Sequence, residues 1–272
     1  MDQSSLPFII DASQLEAVAD QAGLLIIDLS KAETWLKYHI PGAVHLEYNQ
    51  IIGAHKPVMG LLPDNDVLSR ALSSVGLTAD SHVVAYDDEG GGKAGRLLWT
   101  LAVGGHSRYS LLNGGLIAWA NEGHQLVSGQ ETATASDYQY KRTNKDICDR
   151  QTILEHLDDA NVRLLDSRSV EEFSGAKKFS ARGGHIPGAV NMDWLLTIDQ
   201  NNNLRLKDDT SLLALLEERG ISRDNEVIVY CQTHHRSSHT WCVLKHLGFE
   251  NIKGYPGAWS DWGNQEDTPV ET

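Results

Sequence analysis

Positive charge is scarce in this chain: 23 Lys and Arg stand against 37 Asp and Glu, so the formal net charge is −14 with His neutral. A surface of this sign repels the phosphate groups of DNA and RNA. Long apolar runs are also missing, because the strongest ones, such as 24–27 and 227–230, end after a few residues, whereas a membrane-spanning helix needs about 18. We therefore expect neither a nucleic-acid partner nor a membrane partner.

Cysteine is rare as well. Three cysteines in 272 residues are too few, and odd in number, for a disulfide framework. The first ten residues, MDQSSLPFII, carry an Asp and no basic residue ahead of their short apolar run, which is not the pattern of a secretory signal. These features predict a protein of the reducing cytoplasm.

Proline is limited to 7 residues, and a composition of 41% hydrophobic and 22% charged residues is typical of globular proteins. The sequence contains an internal repeat. HIPGAV occurs at 39–44 and again at 185–190, LLIID (24–28) is matched by VRLLD (162–166), and VVAYD (83–87) is matched by VIVYC (227–231). Because the matching segments lie about 140 residues apart, far more than a solenoid repeat, they indicate a duplicated domain.

The repeat divides the chain into a first domain at 1–128, a polar linker at 129–149 and a second domain at 150–272. In each copy, short apolar runs alternate with helical patterns. VVAY and VIVY lack polar alternation, as expected for central parallel strands that are covered on both faces. We predict two α/β domains, each a small parallel sheet with helices on both faces and with its ligand site at the carboxyl ends of the strands.

Cys231 is the candidate nucleophile, since it follows the apolar run 227–230 and precedes a helical pattern containing Trp241, Leu244 and Leu247. A thiol between a strand and a helix lies near backbone N–H groups and the positive helix terminus, which stabilise a thiolate. The next five residues supply hydrogen-bonding and cationic side chains and are the candidate substrate-binding residues: Gln232, Thr233, His234, His235 and Arg236. Cys148 and Cys242 are interpreted as structural.

Two other chemistries fit this segment less well. His235 and His239 are spaced i, i+4, but no second pair of Cys or His residues accompanies them, so we expect no metal. Cys231 and Arg236 enclose four residues, whereas the phosphatase and arsenate reductase loop of related architecture is C-x5-R. The shorter loop makes a smaller cradle, which suits a single sulfur atom better than a tetrahedral oxyanion.

In the first copy, Asp87 occupies the position of Cys231, within the sequence DDEGGGKAGR. This copy has therefore lost the candidate nucleophile, so we expect it to be catalytically inactive and Asp87 to be structural. GGGKAG lacks the spacing of a phosphate-binding loop, and its acidic neighbours argue against a nucleotide.

Together these segments resemble the tandem-domain rhodaneses, or thiosulfate sulfurtransferases. The resemblance rests on the duplicated strand-end Asp (Asp28, Asp166), the duplicated HIPGAV, CQTHHRS at 231–237 and GYPGAW at 254–259, and it spans nearly the whole chain. The CQTHHR loop is similar to that of bacterial two-domain members.

The resemblance implies a ping-pong transfer of sulfane sulfur from thiosulfate to cyanide or a thiol through a persulfide on Cys231, without a cofactor. Loop N–H groups would hold the persulfide, and Arg236 would hold the sulfonate oxygens. Acceptors of the kinds used by such enzymes are cyanide, thioredoxin, glutathione and iron–sulfur assembly proteins.

The chain departs from the family pattern in the loop and at Glu172. Loops of the CRKGVT type for thiosulfate or the CGSGVT type for mercaptopyruvate are absent, and Glu172 stands where vertebrate members have an Arg. We expect Glu172 to repel the carboxylate of 3-mercaptopyruvate, which favours thiosulfate. Weaker candidates for anion binding are Lys177, Lys178 and Arg182. The alternatives are a 3-mercaptopyruvate sulfurtransferase and, from another class, a non-catalytic rhodanese-like binding module.

Overall fold

The computed structural model describes residues 6–272. The first five residues, which belong to the N-terminal segment discussed above, lie outside the described part. In chain order the strands are β1 (Ile9–Ile10), β2 (Leu24–Asp28), β3 (Val44–His45), β4 (Gly53–His55), β5 (Val58–Leu61), β6 (His82–Tyr86), β7 (Tyr109–Leu112), β8 (Val162–Asp166), β9 (Val190–Asn191), β10 (Ile198–Asp199), β11 (Arg205–Leu206), β12 (Glu226–Tyr230) and β13 (Ile252–Gly254).

The α-helices are α1 (Ala12–Glu16), α2 (Ala32–Lys37), α3 (Asn65–Ser74), α4 (Gly92–Val103), α5 (Gly115–Asn121), α6 (Arg150–Glu155), α7 (Val170–Phe173), α8 (Asp209–Glu217), α9 (Arg236–His246) and α10 (Ala258–Trp262). Single 3-10 turns lie at Tyr48–Ile51 and Trp194–Thr197. Within residues 6–272, no helix is long and apolar enough to cross a membrane.

The first unit is built on a parallel sheet with strand order β1-β7-β6-β2-β3. Strand β6 is buried at every position, so both of its faces are covered. Trp35 of α2 and Trp119 of α5 pack with Val84 and Tyr86 of β6 in one apolar core.

The second unit repeats this plan with the parallel order β13-β12-β8-β9. Its core contains Ile228 and Tyr230 of β12 together with Trp259 and Trp262 of α10. The predicted fold class, two α/β domains with parallel sheets and helices, is confirmed.

The division of the chain into compact units differs from the predicted boundaries, because each unit includes one short segment from the sequence range predicted for the other. The first unit comprises the described residues up to 51 together with 63–143 and 198–206, and the second comprises 52–62, 144–197 and 207–272. The antiparallel pair β4–β5 therefore belongs to the second unit, although it precedes most of the first unit in sequence. The pair β10–β11 likewise belongs to the first unit.

The segment predicted as a linker is packed along the first unit over most of its length. Ser136 N donates to Ser73 O at 2.9 Å, and the buried Tyr140 donates its hydroxyl to Thr100 O at 3.0 Å. Residues 129–143 belong to the first unit and 144–149 to the second.

Candidate active site

Cys231 directly follows β12, and the loop 231–235 leads into α9, as the sequence predicts. The residue is 1% exposed. Helix α10 holds the start of the loop, because Trp259 N donates to Cys231 O and Ser260 N donates to Gln232 O, each at 2.9 Å. The thiol is thus fixed at the carboxyl end of a central strand, where parallel α/β sheets place their ligands.

The environment of the sulfur favours the thiolate. Burial raises the pKa of Cys231, but the charge of Arg236, the hydroxyl of Ser237 and the N–H groups of Ser237 and Thr233 act in the opposite direction, and the net pKa lies below the ordinary thiol value. A larger fraction of this thiol is therefore ionised at a given pH than for an ordinary cysteine, and the thiolate is the nucleophilic form.

The loop turns sharply at His234, which adopts the left-handed conformation with φ 53°. Its side chain is fully buried and its Nδ1 lies 2.7 Å from Ser237 Oγ. Ser238 Oγ donates to His234 O at 2.5 Å. His234 is therefore built into the loop, and these contacts hold the turn that brings the Thr233 and Ser237 N–H groups to one sulfur.

Arg236, the first residue of α9, forms a bidentate ion pair with Glu172 of α7. Nη1 donates to Oε2 at 2.6 Å and Nη2 donates to Oε1 at 2.9 Å. The side chains are 23% and 5% exposed, respectively. Glu172 is itself held by a capping box with Ser169 at the start of α7. The guanidinium group is thus fixed beside Cys231 by a buried carboxylate.

This pairing corrects the interpretation of Glu172 as a carboxylate that repels substrate. Burial raises the pKa of Glu172, but its hydrogen bond and charge interaction with Arg236 lower it more, so the group is ionised and its charge is balanced by Arg236. Nothing in the spacing of two residues 64 positions apart indicates such a pair.

A second buried pair, absent from the predicted site, lies at the end of β8. Arg168 Nη2 donates to Asp166 Oδ2 at 2.6 Å and to Gly184 O at 2.7 Å, and its guanidinium carbon lies 4.6 Å from the centre of the Trp259 ring. The duplicated strand-end Asp is the sequence signal for this position, whereas no sequence signal marks its partner Arg168. The pair anchors the HIPGAV segment that follows Gly184.

The remaining predicted loop residues differ in their surroundings. Gln232 Nε2 donates to Ser180 Oγ at 3.0 Å, so Gln232 is tied to the segment between α7 and the second HIPGAV. The rings of His235 and Trp194 have centroids 6.2 Å apart. His239, on α9, is buried, and burial together with the nearby His235 lowers its pKa to about 3. A neutral His239 adds no positive charge to the site.

The weaker anion candidates do not form a common site. Arg182 donates to Trp262 O at 2.9 Å and to Thr268 O at 2.7 Å, which ties the segment between α7 and the second HIPGAV to the C-terminal residues. Lys177 and Lys178 are exposed, and Lys177 Nζ lies 5.0 Å from the centre of the Phe179 ring.

The other two cysteines are also buried. Burial raises the pKa of Cys148 far above the ordinary value, and Cys242 is fully buried inside α9. In the described part of the chain, no group of three or more His, Cys, Asp or Glu side chains has the arrangement of a metal site.

The loop of the first copy holds a carboxylate in the place of the sulfur. Asp87 is 1% exposed and its Oδ1 accepts from Glu89 N at 3.0 Å and Gly91 N at 2.8 Å. Its Oδ2 accepts from Lys93 N and Ala94 N, each at 2.9 Å. The side chain of Asp87 thus fills its own anion cradle, which supports a structural role.

Comparison with known proteins assigns the family. The model of the rhodanese-like domain matches residues 11–122 and 149–265. The chain is 38% identical over 270 residues to a thiosulfate sulfurtransferase of Azotobacter vinelandii, covering 99% of both chains, and 38% identical over 268 residues to one of Pseudomonas aeruginosa, covering 98% of both.

A solved structure of an Escherichia coli 3-mercaptopyruvate sulfurtransferase superposes with a TM-score of 0.83 at 26% identity, over 93% of this chain and 99% of that one. The predicted family, tandem fold and enzyme class are confirmed. The chain is therefore a member of the rhodanese family, an enzyme of the sulfurtransferase class with two rhodanese-like domains in tandem.

Proposed function

We propose that the chain transfers the sulfane sulfur of thiosulfate to cyanide or to a thiol through a persulfide on Cys231. In the first half-reaction the thiolate attacks the outer sulfur of thiosulfate. A new sulfur–sulfur bond forms, the bond to the sulfonate sulfur breaks, and its electron pair leaves with sulfite. In the second half-reaction the acceptor attacks the terminal sulfur and releases the thiolate, so no external oxidant or reductant is needed.

The observation that carries this proposal is the surroundings of the Cys231 sulfur, where the Thr233 and Ser237 N–H groups and the Arg236 guanidinium converge. Each of these groups stabilises negative charge, first on the thiolate and then on the persulfide. Because they are fixed before the reaction begins, they stabilise that charge without reorganising. Arg236 acts through its charge beside the sulfur, since two of its nitrogens already donate to Glu172.

Mass spectrometry of the intact protein tests the intermediate. After incubation with thiosulfate and removal of excess donor, the wild type is expected to gain the mass of one sulfur atom, and cyanide is expected to remove it. Cys148→Ser is the matched control, because it removes a buried thiol outside the loop. Full sulfur loading of a folded Cys231→Ser protein would contradict the proposal.

The alternative donor is 3-mercaptopyruvate, which the relative of known structure in Escherichia coli is named for. Its carboxylate needs an available cation beyond the loop. At the position where vertebrate members have an Arg, this chain has Glu172, which is already paired with Arg236. We therefore propose thiosulfate as the better donor.

The test is kcat/KM for each donor with cyanide as acceptor. A higher value for thiosulfate is expected. A higher value for mercaptopyruvate would overturn the donor assignment while leaving transfer through Cys231 intact.

A further inference from the structure

The catalytic loop is contacted by a segment that comes from the first half of the sequence. Gly60 of β5, which belongs to the second unit, lies directly against Thr233. A Cβ placed on Gly60 would be 2.1 Å from Thr233 O and 2.8 Å from Thr233 Cβ. Gly60 also has φ 77°, a conformation that L side chains rarely adopt. Only a residue without a side chain allows the two backbones to approach this closely.

The neighbouring residue fixes the same segment through α10. Ser260 Oγ donates to Met59 O at 2.9 Å and lies 2.9 Å from Met59 N. The backbone N–H of Ser260 donates to Gln232 O, also at 2.9 Å. Ser260 therefore connects Met59 to the loop, and Gly60 contacts the loop one residue further on.

These contacts lie on either side of the Thr233 N–H, which donates to the Cys231 sulfur. Gln232 C=O and Thr233 N–H belong to one planar peptide unit, so fixing the oxygen also fixes the direction of the N–H. That N–H is one of the donors that lower the pKa of Cys231. The carbonyl of Thr233, against Gly60, precedes His234, where the chain takes its left-handed turn.

From this arrangement we infer that the Met59–Gly60 segment is a positioning element for the sulfur-transfer site, which holds the Gln232–Thr233 peptide with its N–H directed at Cys231. The inference rests on the proposed function, in which Cys231 is the nucleophile. A segment from the first half of the sequence would then contribute to catalysis, although the loop in that half that corresponds to the Cys231 loop carries Asp87.

The main test compares two glycine substitutions in the full-length protein. Gly60→Ala introduces both the left-handed strain and the clash with Thr233 O. Gly220→Ala introduces a similar strain, at φ 66°, where nothing lies within 4 Å of the new methyl group. Both substitutions are in the second unit, so the pair separates backbone strain from contact with the loop.

Two experiments are made: steady-state kinetics, which give kcat and KM for thiosulfate, and the pH dependence of Cys231 alkylation, with Cys231→Ser as the background. For Gly60→Ala we expect kcat to fall about tenfold and the alkylation midpoint to rise by about one pH unit, as for the loss of one hydrogen bond to a charged group. Gly220→Ala should keep the wild-type midpoint and kcat. A wild-type midpoint in folded Gly60→Ala, or an equal loss in Gly220→Ala, would overturn the inference.

Ser260→Ala provides a second variant should Gly60→Ala fail to fold. It removes the hydroxyl that bonds Met59 and keeps the backbone N–H that bonds Gln232. A smaller rise of the midpoint in the same direction is expected, and an unchanged midpoint would count against the inference. If instead Cys231→Ser retained full turnover, the proposed function itself would fail, which is a separate outcome.

Discussion

The Cys231 loop and the Asp87 loop place their hydrogen-bond donors at matching positions. The donors to Cys231 include N–H groups two and six residues further along the chain, at Thr233 and Ser237. The donors to Asp87 include the corresponding groups of Glu89 and Lys93. Duplication has therefore preserved an anion cradle in both copies. We therefore expect a cradle of backbone N–H groups to be insufficient for sulfur chemistry, because one copy fills it with its own carboxylate.

The two loops differ in charge at the start of the following helix. Arg236 is the first residue of α9, whereas Gly92 is the first residue of α4. In the second copy, Glu172 pairs with Arg236. Its counterpart in the first copy is Thr34, six residues after the strand-end Asp, and Thr34 donates its hydroxyl to Asp88 Oδ2 at 3.0 Å. The only cation in the segment 87–93, Lys93, pairs with Asp88 and Glu89. From this difference we expect the fixed guanidinium to distinguish a sulfur-transfer loop from a structural one.

Removing the sulfur is expected to have the largest effect. Cys231→Ser should reduce sulfur transfer to the background rate, at least about 1,000-fold, because a serine hydroxyl remains protonated at neutral pH and cannot carry sulfane sulfur. The measurement is kcat/KM for thiosulfate with cyanide. Cys242→Ser, eleven residues along in the same segment, should keep most of the activity. An equal loss in Cys242→Ser would rule out a mechanism with one nucleophile.

Removing the guanidinium is expected to have the next largest effect. Arg236→Ala should lower kcat/KM about 100-fold, as for the loss of one preorganised donor at a developing anion. The wild-type pKa of Cys231 is lowered in part by Arg236, so the thiolate exists at a lower pH than in the variant. Alkylation should therefore reach its plateau at higher pH in Arg236→Ala. An unchanged pH profile would show that the N–H groups and the Ser237 hydroxyl stabilise the thiolate without Arg236.

Glu172 is expected to act through Arg236, which a double-mutant cycle can measure. Glu172→Ala should lower kcat/KM about tenfold in the wild-type background and have little effect in Arg236→Ala, because its contact with Arg236 is then already lost. Glu172→Gln, which keeps one hydrogen-bond acceptor, should fall between wild type and Glu172→Ala. Higher activity in Glu172→Ala would indicate that the carboxylate competes with the substrate for Arg236.

In the first copy the expected effect is on stability. Asp87→Ala leaves four N–H groups without the carboxylate that accepts them, two of them on buried residues, and should lower the free energy of unfolding by about 2–4 kcal/mol. Denaturant unfolding measures this loss. kcat per folded molecule should stay within about twofold of wild type. A folded Asp87→Ala protein without activity would assign the first loop a direct part in catalysis.

The sequence predicts features that depend on local pattern. Unbroken apolar runs identify β6 and β12, the repeat identifies two domains, and the position of Cys231 between a strand and a helix follows from both. Contacts between distant segments could not be predicted in this way. The partners Glu172 and Arg236 lie 64 residues apart, and Gly60 meets Thr233 from the other half of the sequence, so no periodicity or local spacing reports either contact.

The smallest expected effect comes from giving the first loop a thiol. Asp87→Cys in a Cys231→Ser background places a sulfur among N–H donors that match those of the second copy. The loop still lacks a counterpart of Arg236, and the carboxylates of Asp88 and Glu89 remain beside it, paired with Lys93. Neighbouring negative charge raises a thiol pKa and repels the thiosulfate dianion. Sulfur transfer should therefore stay at the background of Cys231→Ser, and alkylation of the introduced thiol should require a higher pH than that of Cys231. Recovery of turnover by this single substitution would show that the N–H cradle alone makes a sulfur-transfer site, and that Arg236 is dispensable.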